Sequence, residues 1–220
     1  MEINIQESPH LENPVVGEIH VWKAFSFNNK NLFGTFKENR NNQLSLTNQN
    51  GVISPSRRVV SAIAAKYMDC KSSDIQFQVN KEGKPSIRDI DSLEFNLSHC
   101  GNDLVVVFAC EPVGFDMECK DRKADFTGLA RRFFSPTETI EIEKHGGELF
   151  LRWWTAKEAM LKLLGCGIQG GLANAKVLSS GRGVVCGEQV CLREFEWSKH
   201  YAHLATWREV QEVREFEIMG

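Results

Sequence analysis

The sequence lacks any apolar stretch long enough to cross a bilayer. Its longest uninterrupted apolar run, from Leu104 to Cys110, is far shorter than the roughly 20 residues that a membrane-spanning helix needs. The N-terminal stretch MEINIQESPHLENP also lacks the basic segment and apolar core of a secretory signal. We therefore expect a cytoplasmic protein that does not contact a membrane.

An excess of positive charge is also missing. Lysine and arginine number 26 against 29 acidic residues, and the net charge is −3, which argues against nucleic acid as a partner. The seven cysteines are never spaced as C-x-x-C, so no zinc site is indicated. With 220 residues, 42% of them hydrophobic and 25% charged, the chain is typical of a globular protein with one large domain or two small ones.

The order of periodic segments predicts an α+β class with two similar halves, residues 1–112 and 113–220, in which helices pack on antiparallel strands. No sequence repeat is visible, so this division depends on element order alone. Apolar residues at helical spacing predict helices at 56–68, 126–134, 136–145 and 149–164. Alternating or continuously apolar segments predict strands at 16–27, 75–79, 95–98, 104–109, 113–118, 175–178, 183–186, 190–195, 203–207 and 213–218.

Four charged residues in the second half suggest a metal site. Glu158 and Lys162 are four residues apart on a predicted helix and share one face, while Asp116 and Glu118 alternate along a predicted strand. Three carboxylates are ligands that suit Mg²⁺, and a lysine beside them can bind phosphate. The bland alternative is a pair of solvated acids and a weak surface ion pair.

Three polar residues in the first half are candidates for binding an anion. Ser98 and His99 end a predicted strand, and Lys84 lies in a turn after Gly83. Each is also common at such positions for structural reasons alone. In the second half, Lys157 falls within the apolar stripe of its helix, where it must reach solvent or find a partner.

Five ordered motifs resemble the 4′-phosphopantetheinyl transferases of the surfactin-synthetase type. The resemblance runs from about residue 59 to 168, with a weaker echo in the later strands. It implies a pseudo-twofold α+β monomer with an active site between its halves. The motifs are G-K-P (83–85), F-N-L-S-H (95–99), G-F-D-M-E (114–118), R-F-F-S-P-T-E (132–138) and W-T-A-K-E-A-M-L-K (154–162).

The resemblance also implies an activity: an enzyme that moves 4′-phosphopantetheine from coenzyme A to a serine of an apo acyl or peptidyl carrier protein and releases adenosine 3′,5′-bisphosphate. Asp116, Glu118 and Glu158 would hold Mg²⁺ against the coenzyme A pyrophosphate, and Lys162 would contact the same phosphates. The carrier could serve fatty acid, polyketide or non-ribosomal peptide synthesis, and the sequence indicates neither which one nor where it docks.

Further roles follow from the same resemblance. Lys84, Ser98 and His99 would bind the 3′-phosphoadenosine end of coenzyme A, and Trp154 and Lys157 would build the helix that presents Glu158. The base that takes the serine proton is left open among Glu158, Glu138 and a metal-bound water.

One departure from the family lies in the N-terminal third. Family members carry a basic residue about ten positions before the arginine equated with Arg58, and here that neighbourhood is Asn48-Gln49-Asn50. Lys37, Arg40 or Arg57 could replace it, or coenzyme A could bind more weakly. Two other functions compete with the transferase: a non-catalytic coenzyme A or carrier-protein binding module of the same fold, and an unrelated Mg²⁺-dependent phosphohydrolase.

Overall fold

Two units make up the chain, and its last strand returns to the first of them. The computed structural model describes residues 4–5, 11–25, 54–166, 171–179 and 181–219. The first unit comprises Met1–Glu111 and Gln211–Gly220, and the second comprises Pro112–Val210. The predicted positions at Lys37, Arg40, Asn48-Gln49-Asn50 and the end of the first strand lie outside the described residues.

The regular elements follow the predicted order. The helices are α1 (Pro55–Tyr67), α2 (Phe126–Phe133), α3 (Pro136–His145) and α4 (Gly147–Leu164). The strands are β1 (Asn4–Ile5), β2 (Glu18–Ala24), β3 (Phe77–Val79), β4 (Pro85–Ile87), β5 (Glu94–Cys100), β6 (Asp103–Ala109), β7 (Val113–Cys119), β8 (Ala175–Leu178), β9 (Arg182–Val185), β10 (Glu188–Glu196), β11 (His200–Thr206) and β12 (Glu212–Met219).

The first unit packs one helix on a five-stranded sheet of order β1-β12-β2-β6-β5. Helix α1 begins after Ser54, whose hydroxyl accepts a hydrogen bond from the amide of Arg57 and so caps the helix. Its apolar face, which includes Ile63, joins Trp22 and Phe108 of the sheet in one buried cluster. Strands β3 and β4 form a separate hairpin.

Strand β12 belongs to the sheet of the first unit, which changes the predicted division at residues 211–220. It pairs in parallel with β2, so that Phe216 lies opposite Trp22, and the two rings stack 4.4 Å apart. Two neighbouring parallel strands need a long connection between them. In the sequence, the segment that connects β2 to β12 includes the whole second unit. A single boundary in the sequence therefore cannot separate the two units, because the first unit contains both ends of the chain.

The second unit packs its helices on an antiparallel sheet of order β7-β11-β10-β9-β8. Helix α4 lies against β7 and β11 and buries a cluster that includes Phe150, Met160 and Leu161. It ends at Gly165, which takes the left-handed conformation at φ 76° that glycine adopts without strain. Strands and helices in both units confirm the predicted α+β class, whereas the pseudo-twofold relation between the halves stays a prediction.

Several strand boundaries differ from the prediction. The strand expected at 75–79 begins only at Phe77, and the one expected at 203–207 already begins at His200. The short strands β1 and β4 were not predicted. Within the described residues, no helix is both long and apolar enough to cross a membrane.

Candidate active site

Helix α4 carries two of the predicted site residues on its buried side. Its first half is rich in aromatic and aliphatic residues that pack inward, and its second half continues that stripe through Met160 and Leu161. Glu158 lies beside this stripe and is only 4% exposed. A carboxyl group so deeply buried needs a compensating partner or a functional reason.

Strand β7 approaches α4 unusually closely, and Gly114 is the residue that permits it. A Cβ atom at this position would lie 2.0 Å from the carbonyl oxygen of Ala159, so any other residue would push the helix away. Residues 114, 116 and 118 alternate onto the same side of the strand. The glycine of the G-F-D-M-E motif thus brings its two acids towards the helix.

Asp116 and Lys162 meet across this contact. The Lys162 Nζ lies 2.6 Å from Oδ1 of Asp116 and also donates a hydrogen bond to the carbonyl oxygen of Phe115, at 3.1 Å. Asp116 is buried, and the Lys162 side chain retains 21% of its exposure. Two motifs that are more than 40 residues apart in sequence therefore meet, as the predicted site requires.

Glu118 lies at the more exposed end of β7 and is held by an arginine. Its Oε1 accepts a hydrogen bond from Arg122, which follows in a turn where the Arg122 amide donates to the Cys119 carbonyl oxygen at 3.1 Å. The Arg122 guanidinium also lies 5.8 Å from the centroid of the Trp154 ring, within the range of a cation–π contact. Arg122 was not predicted as a site residue.

Glu158 is the acid in the least favourable electrostatic position. Burial raises its pKa to about 8, and the negative charges of Asp116 and Glu118 contribute to the rise, which Lys162 and Arg122 only partly oppose. Its Oε1 is buried and has no hydrogen-bond partner among the described residues. A buried carboxyl oxygen that has no partner and lies near two other acids could accept a cation.

The carboxylates fit Mg²⁺ by their chemistry. Three hard oxygen donors are the ligands that this ion prefers, and a divalent cation would relieve both the repulsion at Glu158 and its missing partner. In the described part of the chain, no three acidic, histidine or cysteine side chains stand close enough to hold a metal ion as they are placed. Lys162 and Arg122 instead bind two of the three acids.

Lys157, which lies in the apolar stripe of α4, pairs with Glu138, so the predicted need for a partner is met. Its side chain is fully buried, and its Nζ lies 2.9 Å from Glu138 and donates to the carbonyl oxygen of Leu172 at 3.2 Å. The ring of Phe134 lies 4.4 Å from the same ammonium group. Burial lowers the Lys157 pKa, and the bond to Glu138 opposes this shift.

Glu138 has a structural role that the S-P-T-E sequence could have revealed. It accepts from the Ser135 amide at 2.9 Å, while Ser135 caps helix α3 by accepting from the Glu138 amide. This reciprocal pair is a capping box, which is recognisable from serine and glutamate three residues apart. With Ser135 and Lys157 as partners, Glu138 is poorly placed to serve as a general base.

The three coenzyme A candidates of the first unit lie on neighbouring elements. Ser98 and His99 are consecutive in β5, where Ser98 is buried and His99 exposed, so their side chains leave the strand on opposite faces. Lys84 lies just before β4, and burial lowers its pKa although Glu94 opposes the shift. Among the substitutes considered for the missing basic residue, Arg57 places its guanidinium 4.9 Å from the Phe77 ring centroid.

Comparison with known proteins supports the resemblance. Residues 112–214 match the family model of the 4′-phosphopantetheinyl transferase superfamily. A putative 4′-phosphopantetheinyl transferase of Synechocystis is 37% identical over 123 residues, which is 53% of this chain and 50% of that protein. The 4′-phosphopantetheinyl transferase Sfp of Bacillus subtilis is 31% identical over 114 residues, half of each chain. The transferase HetI of Nostoc is 33% identical over 120 residues, 51% of each chain.

The acidic site consists of the three acids Asp116, Glu118 and Glu158 together with Lys162, and the matched region contains all four residues. Lys84, Ser98 and His99 lie before that region. The chain spans about half the length of the curated relatives that it matches. Motif order, the carboxylate arrangement and these matches agree with one another. Through residues 112–214, which are 103 of its 220 residues, the chain is similar to the 4′-phosphopantetheinyl transferase superfamily.

Proposed function

We propose that this protein transfers 4′-phosphopantetheine from coenzyme A to a serine of an apo acyl or peptidyl carrier protein, with Mg²⁺ as its metal ion, and releases adenosine 3′,5′-bisphosphate. The observation that carries the proposal is the buried Glu158, which has an orphan oxygen and lies in the field of Asp116 and Glu118. The names of the relatives support the reaction, and the acidic site supplies the chemistry that it needs.

In this reaction the serine oxygen attacks the phosphorus that bears the pantetheine arm. A new phosphorus–oxygen bond forms to serine, and the bond to the adenosine bisphosphate breaks. Mg²⁺ held by Asp116, Glu118 and Glu158 would neutralise charge on the pyrophosphate. Lys162, whose Nζ lies 2.6 Å from Oδ1 of Asp116, would add a positive charge beside the acids.

The serine proton must go to a base, and we assign it to Glu158. Its buried Oε1 has no hydrogen-bond partner among the described residues, so this oxygen can accept a proton without breaking an existing contact. The other candidate on the chain, Glu138, is bound to Lys157 and to the Ser135 amide. A base that already accepts from two partners would have to break a buried ion pair before it could accept a proton.

Coenzyme A would be held at its adenosine end by Lys84, Ser98 and His99 of the first unit. The support for these three residues is their place in the G-K-P and F-N-L-S-H motifs. Burial lowers the pKa of Lys84, and an anionic ligand would stabilise its charged form.

The proposal is tested by incubating the protein with coenzyme A, Mg²⁺ and a panel of apo acyl and peptidyl carriers, and weighing each carrier. We expect a mass gain of one phosphopantetheinyl group, and we expect Glu158→Gln to slow this gain strongly. Glu141→Gln serves as the matched control, because the side chain of this α3 residue is 44% exposed and pairs with Lys144. Coenzyme A binding without any mass gain across the panel would favour the non-catalytic binding module.

A further inference from the structure

Arg122 and Lys162 are cations that already occupy the acidic site. Lys162 pairs with Asp116 and Arg122 pairs with Glu118. Two positive side chains thus face three acids, and Glu158 is the acid that keeps an unsatisfied oxygen among the described residues. The arrangement is that of a cation site stabilised by side chains of the protein itself.

Of the two cations, Arg122 is the one that has no part in the proposed reaction. Its guanidinium donates to Oε1 of Glu118, one of the proposed metal ligands, and is held in turn by its contact with Trp154. Across the described residues, no three acids stand close enough to form a metal site in this state. A metal ion bound by all three carboxylates would therefore compete with Arg122 for Glu118.

Arg122 also lines a polar cavity of about 400 Å³, together with Lys120, Lys123 and Tyr201. The Arg122 side chain is 31% exposed, so its displacement from Glu118 would not leave a guanidinium buried without solvent. The exchange therefore costs only a partly exposed ion pair, which is a small barrier to metal binding.

We infer that Arg122 is an internal competitor that sets the affinity of the acidic site for divalent cations. This inference rests on the proposed function, since it takes Asp116, Glu118 and Glu158 as the metal ligands. It goes beyond that function by giving a role to a residue outside the motifs. Loss of the arginine makes metal binding tighter, whereas a residue that orients Glu118 towards the metal would make it weaker when lost.

The test measures metal binding rather than transfer. Mn²⁺ is titrated into the protein in the absence of coenzyme A, free Mn²⁺ is followed by electron paramagnetic resonance, and Mg²⁺ is used as the competing ion. We expect Arg122→Gln to lower the dissociation constant about fivefold, the factor that an ion pair of this exposure can account for. Arg122→Lys, which keeps the charge, should fall between the wild type and the glutamine variant.

Lys123→Gln is the matched control, because Lys123 is an exposed neighbour that lines the same cavity. Lys123→Gln also removes one positive charge. We expect it to change the logarithm of the dissociation constant less than half as much as Arg122→Gln does. An equal effect would reduce the role of Arg122 to general charge and overturn the inference. Unchanged or weaker binding in Arg122→Gln would overturn it as well, while metal binding by the wild type would still support the proposed function.

The metal site of the proposed function and the competitor role of Arg122 can fail separately. If neither the wild type nor Arg122→Gln binds Mn²⁺, and Asp116→Ala is no different, both the metal site and the competitor role are overturned. Binding by Arg122→Gln alone would support both, with the arginine as the reason for the weak wild-type site. Circular dichroism of each variant verifies that the fold is intact, and Arg122→Lys keeps the comparison available if the glutamine variant is unstable.

Discussion

Each unit contains a buried polar cluster, and the two clusters differ in whether their hydrogen bonds are satisfied. In the first unit, the Tyr67 hydroxyl bonds to Nδ1 of His20 at 2.7 Å, His20 Nε2 bonds to Glu18 at 2.9 Å, and Trp22 Nε1 donates to Tyr67 at 2.9 Å. In the second unit, three acids share two cations and Glu158 keeps an orphan oxygen among the described residues.

This difference indicates that the cluster of the first unit is structural and that the cluster of the second unit is functional. The cluster of the first unit ties the end of α1 to β2, and each ring nitrogen of His20 has a partner, as is usual for buried polar groups. The cluster of the second unit places like charges together at a cost in stability. Proteins keep such unfavourable arrangements mostly at functional sites, so the unsatisfied cluster is the one to which we assign the chemistry.

The sharpest test of this comparison is Glu158→Gln, for which we expect the largest effect. Loss of the proposed base and metal ligand should lower the transfer rate about 10²- to 10⁴-fold. The melting temperature without metal should stay the same or rise, because a neutral amide replaces a carboxyl group in an acidic, buried position. The rate is read from carrier mass over time and the melting temperature from circular dichroism. A large loss of stability would mean that Glu158 is structural after all.

The next effect concerns the satisfied ion pair of the second unit. Lys157→Met leaves Glu138 without its buried partner, and Glu138→Gln leaves the fully buried Lys157 charge unpaired; each should cost about 3–5 kcal/mol. Glutamine can still accept from the Ser135 amide, so the capping box survives in the second variant. Urea unfolding measures both.

The double variant Lys157→Met/Glu138→Gln is the control for this pair. It removes both charges at once, so it should cost clearly less than the sum of the single changes. Strictly additive losses would show that the two residues do not act as a pair. A transfer rate that falls in the double variant while stability recovers would point back to Glu138 as the base.

A smaller effect is expected in the first unit. Tyr67→Phe removes the hydroxyl that joins Trp22 and His20, which leaves two buried nitrogen atoms without this partner, and should cost about 1–3 kcal/mol. The transfer rate at a temperature where the variant is folded should not change. A drop in rate with no loss of stability would make the first cluster a functional one and end the distinction drawn above.

Much of this contrast could be anticipated from local sequence, and the rest depends on long-range contacts. The spacing of Glu158 and Lys162, and of Asp116 and Glu118, fixes which way each pair points because it depends only on helix and strand periodicity. The need of Lys157 for a partner also followed from its place in an apolar stripe.

Three features could not be predicted from the sequence, and the physical reason is the same for each. The pairing of β12 with β2, the ion pair of Arg122 with Glu118, and the choice of Glu138 as partner for Lys157 are each decided by tertiary packing rather than by local periodicity. Gly114 is an intermediate case: its place in the motif was visible, but only the structure shows that Ala159 occupies the space of a side chain.

The last prediction concerns the sign of the pH dependence of stability in the two clusters, measured without metal. Burial lowers the pKa of His20, and the bond to Glu18 only partly opposes this. The unfolded chain therefore binds more protons than the folded one just below the ordinary pKa of 6.5, and stability falls as pH drops through that range. Glu158, with its pKa raised from 4.5 to about 8, does the opposite, because its folded form binds more protons and stability falls as pH rises between these values.

Amide hydrogen exchange, corrected for the intrinsic dependence of exchange on pH, can follow both units in one sample. Between pH 5.5 and 8 we expect protection in α1 and β2 to rise and protection in α4 and β7 to fall. Glu158→Gln should remove the fall in the second unit and leave the first unchanged, since the variant has lost the group that titrates. Saturating Mg²⁺ should have the same effect on the wild type, because a cation favours the ionised carboxylate. Parallel trends in the two units would contradict the view that one cluster is satisfied and the other awaits a ligand.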